Sequence, residues 1–221
     1  KNWKAIVTTG PTREYIDPVR YISNESSGKQ GCEIAIALNK CGIKTTLIAG
    51  PSSLIFPKDL KVKKITSADE MLNEVKKLLP VDLVVCAAAV TDFKPIEKNQ
   101  NKIKKEGMKL QKINFVKNYD ILEYISKNNK YRPRLVAGFS AETENVTKNS
   151  IAKMKRKHCD IIFANDVSQK GIGFNSDYNK IFVIDGKDKV KIIPKNKKSF
   201  IANKIAEILL DKLLIDDKNI N

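Results

Sequence analysis

The stretch GPTREYIDPVRYISNESSGKQG, residues 10–31, decides how this chain is read. It leaves a short apolar run, AIVT at 5–8, and enters a helical pattern near Ser27. Between the two lie small residues, Arg13, Arg20 and Asn24. Where a strand hands over to a helix through such a loop, the first N–H groups of the helix are unpaired, and phosphate-bearing ligands sit against them. Arginine adds a planar fork of donors for phosphate or carboxylate, and Asn24 offers a donor and an acceptor in one side chain.

Outward from this stretch, apolar runs alternate with helical patterns. The pattern predicts a strand at 5–9 and a helix at 27–39, with Ile34, Leu38 and Cys41 on one stripe and Gly42 as its stop. Further strands are predicted at 45–49, closed by Gly50-Pro51, and at 62–66. Ser67 followed by Glu70 reads as a capping box, opening a helix that buries Met71, Leu72, Val75, Leu78 and Leu79 and stops at Pro80. The run at 82–88 is apolar almost throughout, as a parallel strand covered on both faces requires. Strands at 135–139 and 160–164 flank a helix at 146–157, and strands at 180–184 and 190–193 flank the turn DGKD. A last helix at 199–214 carries Ile201, Ile205, Ile208, Leu209 and Leu213, and 216–221 is expected to fray.

This alternation predicts a three-layer, Rossmann-like α/β fold: a mostly parallel sheet, helices on both faces and a C-terminal hairpin, in one domain over 1–221. The segment 91–117 stands apart. It is rich in Lys and Asn with little periodicity, and reads as a lysine-rich flap.

With 221 residues, 42% of them hydrophobic, the chain can bury a full core. It has no run of about 18 apolar residues that would span a membrane, and its start lacks a signal-peptide core. The first residue is not Met, which suggests a fragment or processed form. Cys32, Cys41, Cys86 and Cys159 are scattered and His158 is the only histidine, so a zinc site is not expected and a reducing cytoplasm is. Cys86, in an apolar run, is assigned to the core. The formal charge of +16 comes from lysines spread along the whole chain, with 7% aromatic residues. That pattern fits a solvated surface that steers a polyanionic ligand inward better than a nucleic-acid interface.

Several nucleotide and catalytic motifs are missing. No Gly-x-Gly-x-x-Gly follows the first strand and no P-loop occurs. No tyrosine has a lysine four residues later, and there is no Gly-x-Ser-x-Gly. What is present clusters at predicted strand ends: Arg13, Arg20 and Asn24 before SSG at 26–28; CAAAVTD at 86–92; NKIKK at 101–105; GFSAET at 138–143; Lys153 and Lys157, one helical turn apart; Asn165-Asp166; and GIGFNSD at 171–177. The carboxyl ends of strands in an open α/β sheet form the expected crevice.

These motifs, in this order over about 4–213, resemble the phosphopantothenate–cysteine ligases (phosphopantothenoylcysteine synthetases) of coenzyme A biosynthesis, in particular the CTP-dependent bacterial type found as the C-terminal half of a bifunctional flavoprotein. The residues that carry the resemblance are GPTR with IDPVR, SNESSG at 23–28, AAAVTD at 87–92, KIKK at 102–105, GFSAET at 138–143, and ANDV at 164–167 with GFNS at 173–176. The resemblance implies attack of the 4′-phosphopantothenate carboxylate on the α-phosphate of CTP, release of pyrophosphate, and attack of the L-cysteine amine on the acyl-cytidylate, with Mg²⁺ assisting. It implies that Asn24 holds the intermediate beside Arg20, with Ala88, Ala89 and Gly28 around it. It further implies that Asp92 contacts the nucleotide, that Lys102 belongs to a closing flap, and that Tyr119, Asp120, Ile121 and Leu122 form a nucleotide-binding turn. Phe139, Lys153 and Lys157 would be further nucleotide contacts, the lysines serving the phosphates. Tyr119 stands where relatives usually carry proline.

The resemblance also implies a homodimer, and a fusion in the full-length protein to an N-terminal flavin-dependent decarboxylase. Neither a flavin site, a nucleic-acid partner nor a membrane partner is expected for this chain. Two rival readings are a nicotinamide-dependent reductase with an unusual phosphate loop and a basic nucleic-acid-binding module.

Overall fold

A computed structural model of the protein describes residues 2–104, 113–168, 171–173, 176–186 and 190–220. In chain order the elements are β1 (Lys4–Thr9), β2 (Arg13–Tyr15), β3 (Tyr21–Ser23), α1 (Lys29–Lys40), β4 (Lys44–Ala49), β5 (Lys61–Lys64), α2 (Ala68–Leu78), β6 (Leu83–Cys86), β7 (Phe93–Pro95) and β8 (Phe115–Lys117). They continue with α3 (Ile121–Ser126), β9 (Leu135–Glu142), α4 (Val146–Lys157), β10 (Ile161–Asp166), β11 (Tyr178–Ile184), β12 (Lys191–Lys197) and α5 (Lys198–Ile220).

Eight strands form one sheet in the order β12-β11-β10-β9-β6-β1-β4-β5. From β5 through β10 all neighbours are parallel; β11 runs antiparallel to β10, and β12 returns antiparallel to β11. Successive side chains of a strand point to opposite faces, and the sheet uses both. Ala5, Val7, Leu83 and Val85 pack with α1 and α5, whereas Ile6 and Val84 pack with α2, α3 and α4. This two-sided burial is why the central strands read as continuous apolar runs.

The caps are mostly as the residues dictate. Ser67 accepts the Glu70 N–H at 3.2 Å, while the Glu70 carboxylate reaches back to the Thr66 N–H at 2.7 Å, one residue earlier than a reciprocal box requires. The first helix starts at Lys29 rather than Ser27. Gly28 precedes it in the left-handed conformation (φ 75°), and no side chain caps it.

Four sequence expectations need correction. The third predicted strand lies at Lys61–Lys64. The decisive stretch holds a short antiparallel ribbon, β2 with β3, rather than a plain loop. The base of the lysine-rich segment is likewise a ribbon, β7 paired with β8, Phe93 facing Lys117. Residues 105–112 of that segment lie outside the described residues, as does Lys105 of its lysine motif. Finally, α5 continues to Ile220, beyond its predicted end at 214, since LIDDKNI contains neither Gly nor Pro to stop it.

Candidate functional site

Strand order places the site. From β1 the chain moves to β4 and β5 on one side, then crosses back to β6 and β9 on the other. The loops leaving β1 and β6 therefore diverge, and a crevice opens beyond their carboxyl ends. It holds a cleft of about 460 Å³, lined by residues that include Asn24, Gly28, Ala88, Ala89, Asp92, Phe139 and Lys153. A smaller pocket of about 150 Å³ adjoins it, lined by Tyr119, Asp120, Ile121 and Leu122. Ala88, Val90, Asp92, Phe139 and Lys153 line both.

Close backbone approach shapes the main cleft. A Cβ on Gly31 would lie 2.4 Å from Thr9 Oγ1 and 2.6 Å from Thr9 Cβ. Only hydrogen lets the first turn of α1 settle on the end of β1, which is the role the third glycine plays in a dinucleotide fingerprint. The contact is achieved here without the fingerprint: the turn after β1 carries the β2–β3 ribbon, so the reductase reading gains nothing from the structure. Ala89 donates its N–H to the Gly10 carbonyl at 2.9 Å, binding the alanine run to the exit of β1. Asn24 Nδ2 donates to the Val90 carbonyl at 3.0 Å and spans the two loops.

The loop before β3 is organised by Asp17, whose side chain is fully buried. Its carboxylate accepts the N–H groups of Val19 (2.8 Å), Arg20 (2.9 Å) and Ile103 (3.3 Å). Burial pushes its pKa up, but these bonds outweigh that and hold it below the ordinary value. Arg20 Nε meets the same carboxylate at 3.0 Å, and Nη2 donates to the Ile103 carbonyl at 2.6 Å. Asp17 and Arg20 thus fasten the decisive stretch to the lysine-rich segment at Ile103. Neither Arg20 nor Lys102, which is exposed, lines the cleft.

Around the smaller pocket, Asp120 caps α3 by accepting the Glu123 N–H at 2.9 Å. The predicted turn 119–122 is therefore the mouth of a short helix. Lys153 is half-buried, donates to the Phe139 carbonyl at 2.9 Å, and has a pKa lowered by burial against the opposing pull of Glu142 and Asp120. Lys157 behaves differently. It pairs with Asp120 at 2.5 Å and Glu123 at 2.9 Å and lines neither pocket. Burial lowers its pKa, but these carboxylates outweigh that and raise it. The two lysines share a helix face yet do different jobs: one faces ligand space, the other ties α4 to α3.

Cys86, assigned to the core from sequence, lines the smaller pocket half-buried, and burial pushes its thiol pKa far upward, which leaves it unreactive. The main cleft also recruits Gln30, which lies in the decisive stretch without being singled out there, and Asn179 and Lys198, which the sequence does not mark out; Lys198 sits in the lysine-rich run KNKKS with nothing local to distinguish it. Among the described residues no group of three His, Cys, Asp or Glu side chains is placed to hold a metal ion. No described helix is long and apolar enough to cross a membrane.

Fold and site together define a Rossmann-like α/β domain whose main cleft lies at the switch point and which lacks the glycine-rich phosphate turn. The chain belongs to the family of the DNA/pantothenate metabolism flavoprotein C-terminal domain, which it matches over residues 1–213. It is 39% identical over 224 residues to the coenzyme A biosynthesis bifunctional protein CoaBC of Escherichia coli K12, covering 99% of this chain and 54% of that protein. The CoaBC of Borreliella burgdorferi is 38% identical over 211 residues, covering 95% of this chain and 53% of the relative. The chain thus spans about half the length of the curated relatives it matches. The crystal structure of a CoaBC C-terminal domain superimposes with a TM-score of 0.80 at 29% identity, covering 98% of this chain and 97% of that one.

Proposed function

We propose that this chain is a phosphopantothenate–cysteine ligase domain: it joins 4′-phosphopantothenate to L-cysteine through an acyl-cytidylate made from CTP. The observation that carries this reading is the two-part site, a larger cleft and a smaller pocket sharing the wall of Ala88, Asp92, Phe139 and Lys153. An acid and a nucleotide have to meet across such a wall.

A carboxylate acylates poorly until it bears a good leaving group. One oxygen of the acid attacks the α-phosphorus of CTP, the bond to the β-phosphate oxygen breaks, and pyrophosphate leaves. The cysteine amine then attacks the acyl carbon, loses a proton, and CMP departs with both electrons of the cleaved C–O bond. Both steps need alignment and charge neutralisation rather than a protein nucleophile. Lys153 supplies positive charge where the two pockets meet. Asn24, exposed at the cleft, offers amide groups to the mixed anhydride without adding charge. The small side chains of Ala88 and Ala89 leave room for close approach, and Phe139 offers a ring face beside the base. Mg²⁺ bound to the nucleotide would neutralise phosphate charge, and Asp92, exposed at the mouth, is the residue that would reach it through water.

In this reading 91–117 is the flap of a single ligase domain over 1–221, and Lys102 closes on the phosphates. Arg20 already grips the flap base at Ile103, so it acts on the site through flap closure or in a second copy of the chain. Lys157 serves the nucleotide indirectly, by fixing Asp120 at the mouth of α3. A homodimer in the cytoplasm, fused in the full-length protein to an N-terminal flavin-dependent decarboxylase, completes the proposal. The test is pyrophosphate release with 4′-phosphopantothenate and each of the four nucleotides, with and without cysteine. Release with CTP, followed by cysteine-dependent CMP formation, is the expected result; release with none of the four would refute it.

A further inference from the structure

Part of the main cleft is the wall shared with the smaller pocket, at Lys153; Gly28, Lys29, Gln30, Gly173, Asn179 and Lys198 line the main cleft alone. A polar belt joins three elements around this unshared part of the cleft. Lys29 Nζ meets Asp177 at 2.5 Å, Asn179 Nδ2 donates to Gln30 Oε1 at 3.2 Å, and Gln30 Nε2 donates to the Lys198 carbonyl at 3.3 Å. The Lys198 N–H donates to the Asp177 carbonyl at 2.8 Å, which fixes the start of α5.

Lys198 is only 3% exposed, and its ammonium donates to the Gly173 carbonyl at 2.8 Å. Both residues line the cleft. Burial is the main cause that pulls this ammonium down to about 8; Lys29 adds repulsion and Asp177 offsets part of it. A buried ammonium in the wall of this cleft is placed to meet an anion that enters it.

We propose that Lys198 is the cation of a second phosphoryl subsite, in the part of the main cleft that the smaller pocket does not share. Identification of its ligand rests on the ligase reading, which brings two phosphate-bearing substrates to this cleft. The anion is either the β,γ-diphosphate of the nucleotide or the phosphate at the far end of the acid, and both present the same non-bridging phosphate oxygens. Lys198→Met removes the charge at similar length, and Lys198→Arg keeps it.

The direct experiment is calorimetric titration of inorganic pyrophosphate and inorganic phosphate into the wild type and both variants, with thermal melts to confirm folding. Lys198→Met should weaken one of these anions by about ten-fold or more, with Lys198→Arg retaining most of the binding. In steady state the same variant should raise one KM by a similar factor while kcat changes less. A raised KM for CTP assigns the subsite to the nucleotide, and a raised KM for 4′-phosphopantothenate, but not for pantothenate, assigns it to the acid. A folded Lys198→Met protein with unchanged anion binding and both KM values unchanged would overturn the proposal. Should Lys198→Met not fold, the Lys198 Nζ resonance of the wild type serves instead: it should shift on adding pyrophosphate or phosphate, and no shift with either would be equally fatal. Anion binding that depends on Lys198 in a protein that never ligates would keep the subsite and remove the ligase reading.

Discussion

Gly31→Ala tests how the cleft is built. The added methyl would lie 2.4 Å from Thr9 Oγ1, 2.6 Å from Thr9 Cβ and 3.2 Å from the Thr8 carbonyl. Thr9 ends β1, which is paired on both sides, and its hydroxyl donates to the Gly28 carbonyl at 2.6 Å. The strand cannot yield, so α1 has to move. Overpacking of this kind costs about 1–3 kcal/mol, and losing the buried Thr9 hydrogen bond adds about 1 kcal/mol. Alanine's better helix propensity returns about 1 kcal/mol. The clash wins, leaving a net loss of about 1–3 kcal/mol, or about 2–12 °C in Tm for a chain of this size. Urea unfolding followed by circular dichroism measures the loss. Thr9→Gly removes the atoms that clash, so it should cost less in the Gly31→Ala background than in the wild type. The reasoning fails if Gly31→Ala is as stable as the wild type, or if the two changes add within about 0.5 kcal/mol.

Three further outcomes are expected. Lys102→Gln should cut kcat/KM for CTP by about ten-fold or more, the loss of one charge-assisted bond, while leaving the melting temperature unchanged because Lys102 is exposed; wild-type turnover would remove the flap role. Asn24→Asp loses the amide that donates to Val90 and sets a carboxylate against the acyl-phosphate, so cysteine-dependent consumption of the intermediate should slow in single-turnover assays; an unchanged rate would reject this role. Glu123 accepts from Lys127 and Lys157, which lowers its carboxyl from the ordinary 4.5 to about 2. It therefore binds fewer protons folded than unfolded, and its stabilisation is complete above about pH 4.5 and lost as pH falls toward 2. Urea midpoints should fall more steeply with acidification in the wild type than in Glu123→Gln; parallel curves would show that this cluster contributes nothing.

Much of this architecture can be read from local pattern, and the exceptions are informative. The helix at 146–157 matches α4 residue for residue, because its ends are marked by a strand pattern on either side. The β7–β8 pairing joins residues twenty or more positions apart through a polar segment, and a three-residue strand leaves no period to detect. At six residues, α3 is too short to show an apolar stripe, and only its cap, Asp120, is written plainly. Within the site, Asn24, Ala88, Asp92 and Phe139 converge as their positions near strand ends suggest, and Lys153 joins them from α4. Lys157, on the expected helix face, is held by carboxylates, while Lys198, in an unremarkable charge run, lines the cleft. Nothing local separates them, since a lysine's task depends on which distant groups the fold sets beside it.

The outer strands of the sheet limit how copies of this protein meet. Strand β5 reads KVKK with all three lysines exposed, and β12 reads KIIPKNK, where Pro194 has no N–H to offer. Charge repulsion blunts one rim, and a missing donor joins charge at the other, so neither rim is a template for a further strand. Among the described strands, the large sheet is therefore not built to grow from molecule to molecule at either rim, and contact between copies falls to other surfaces.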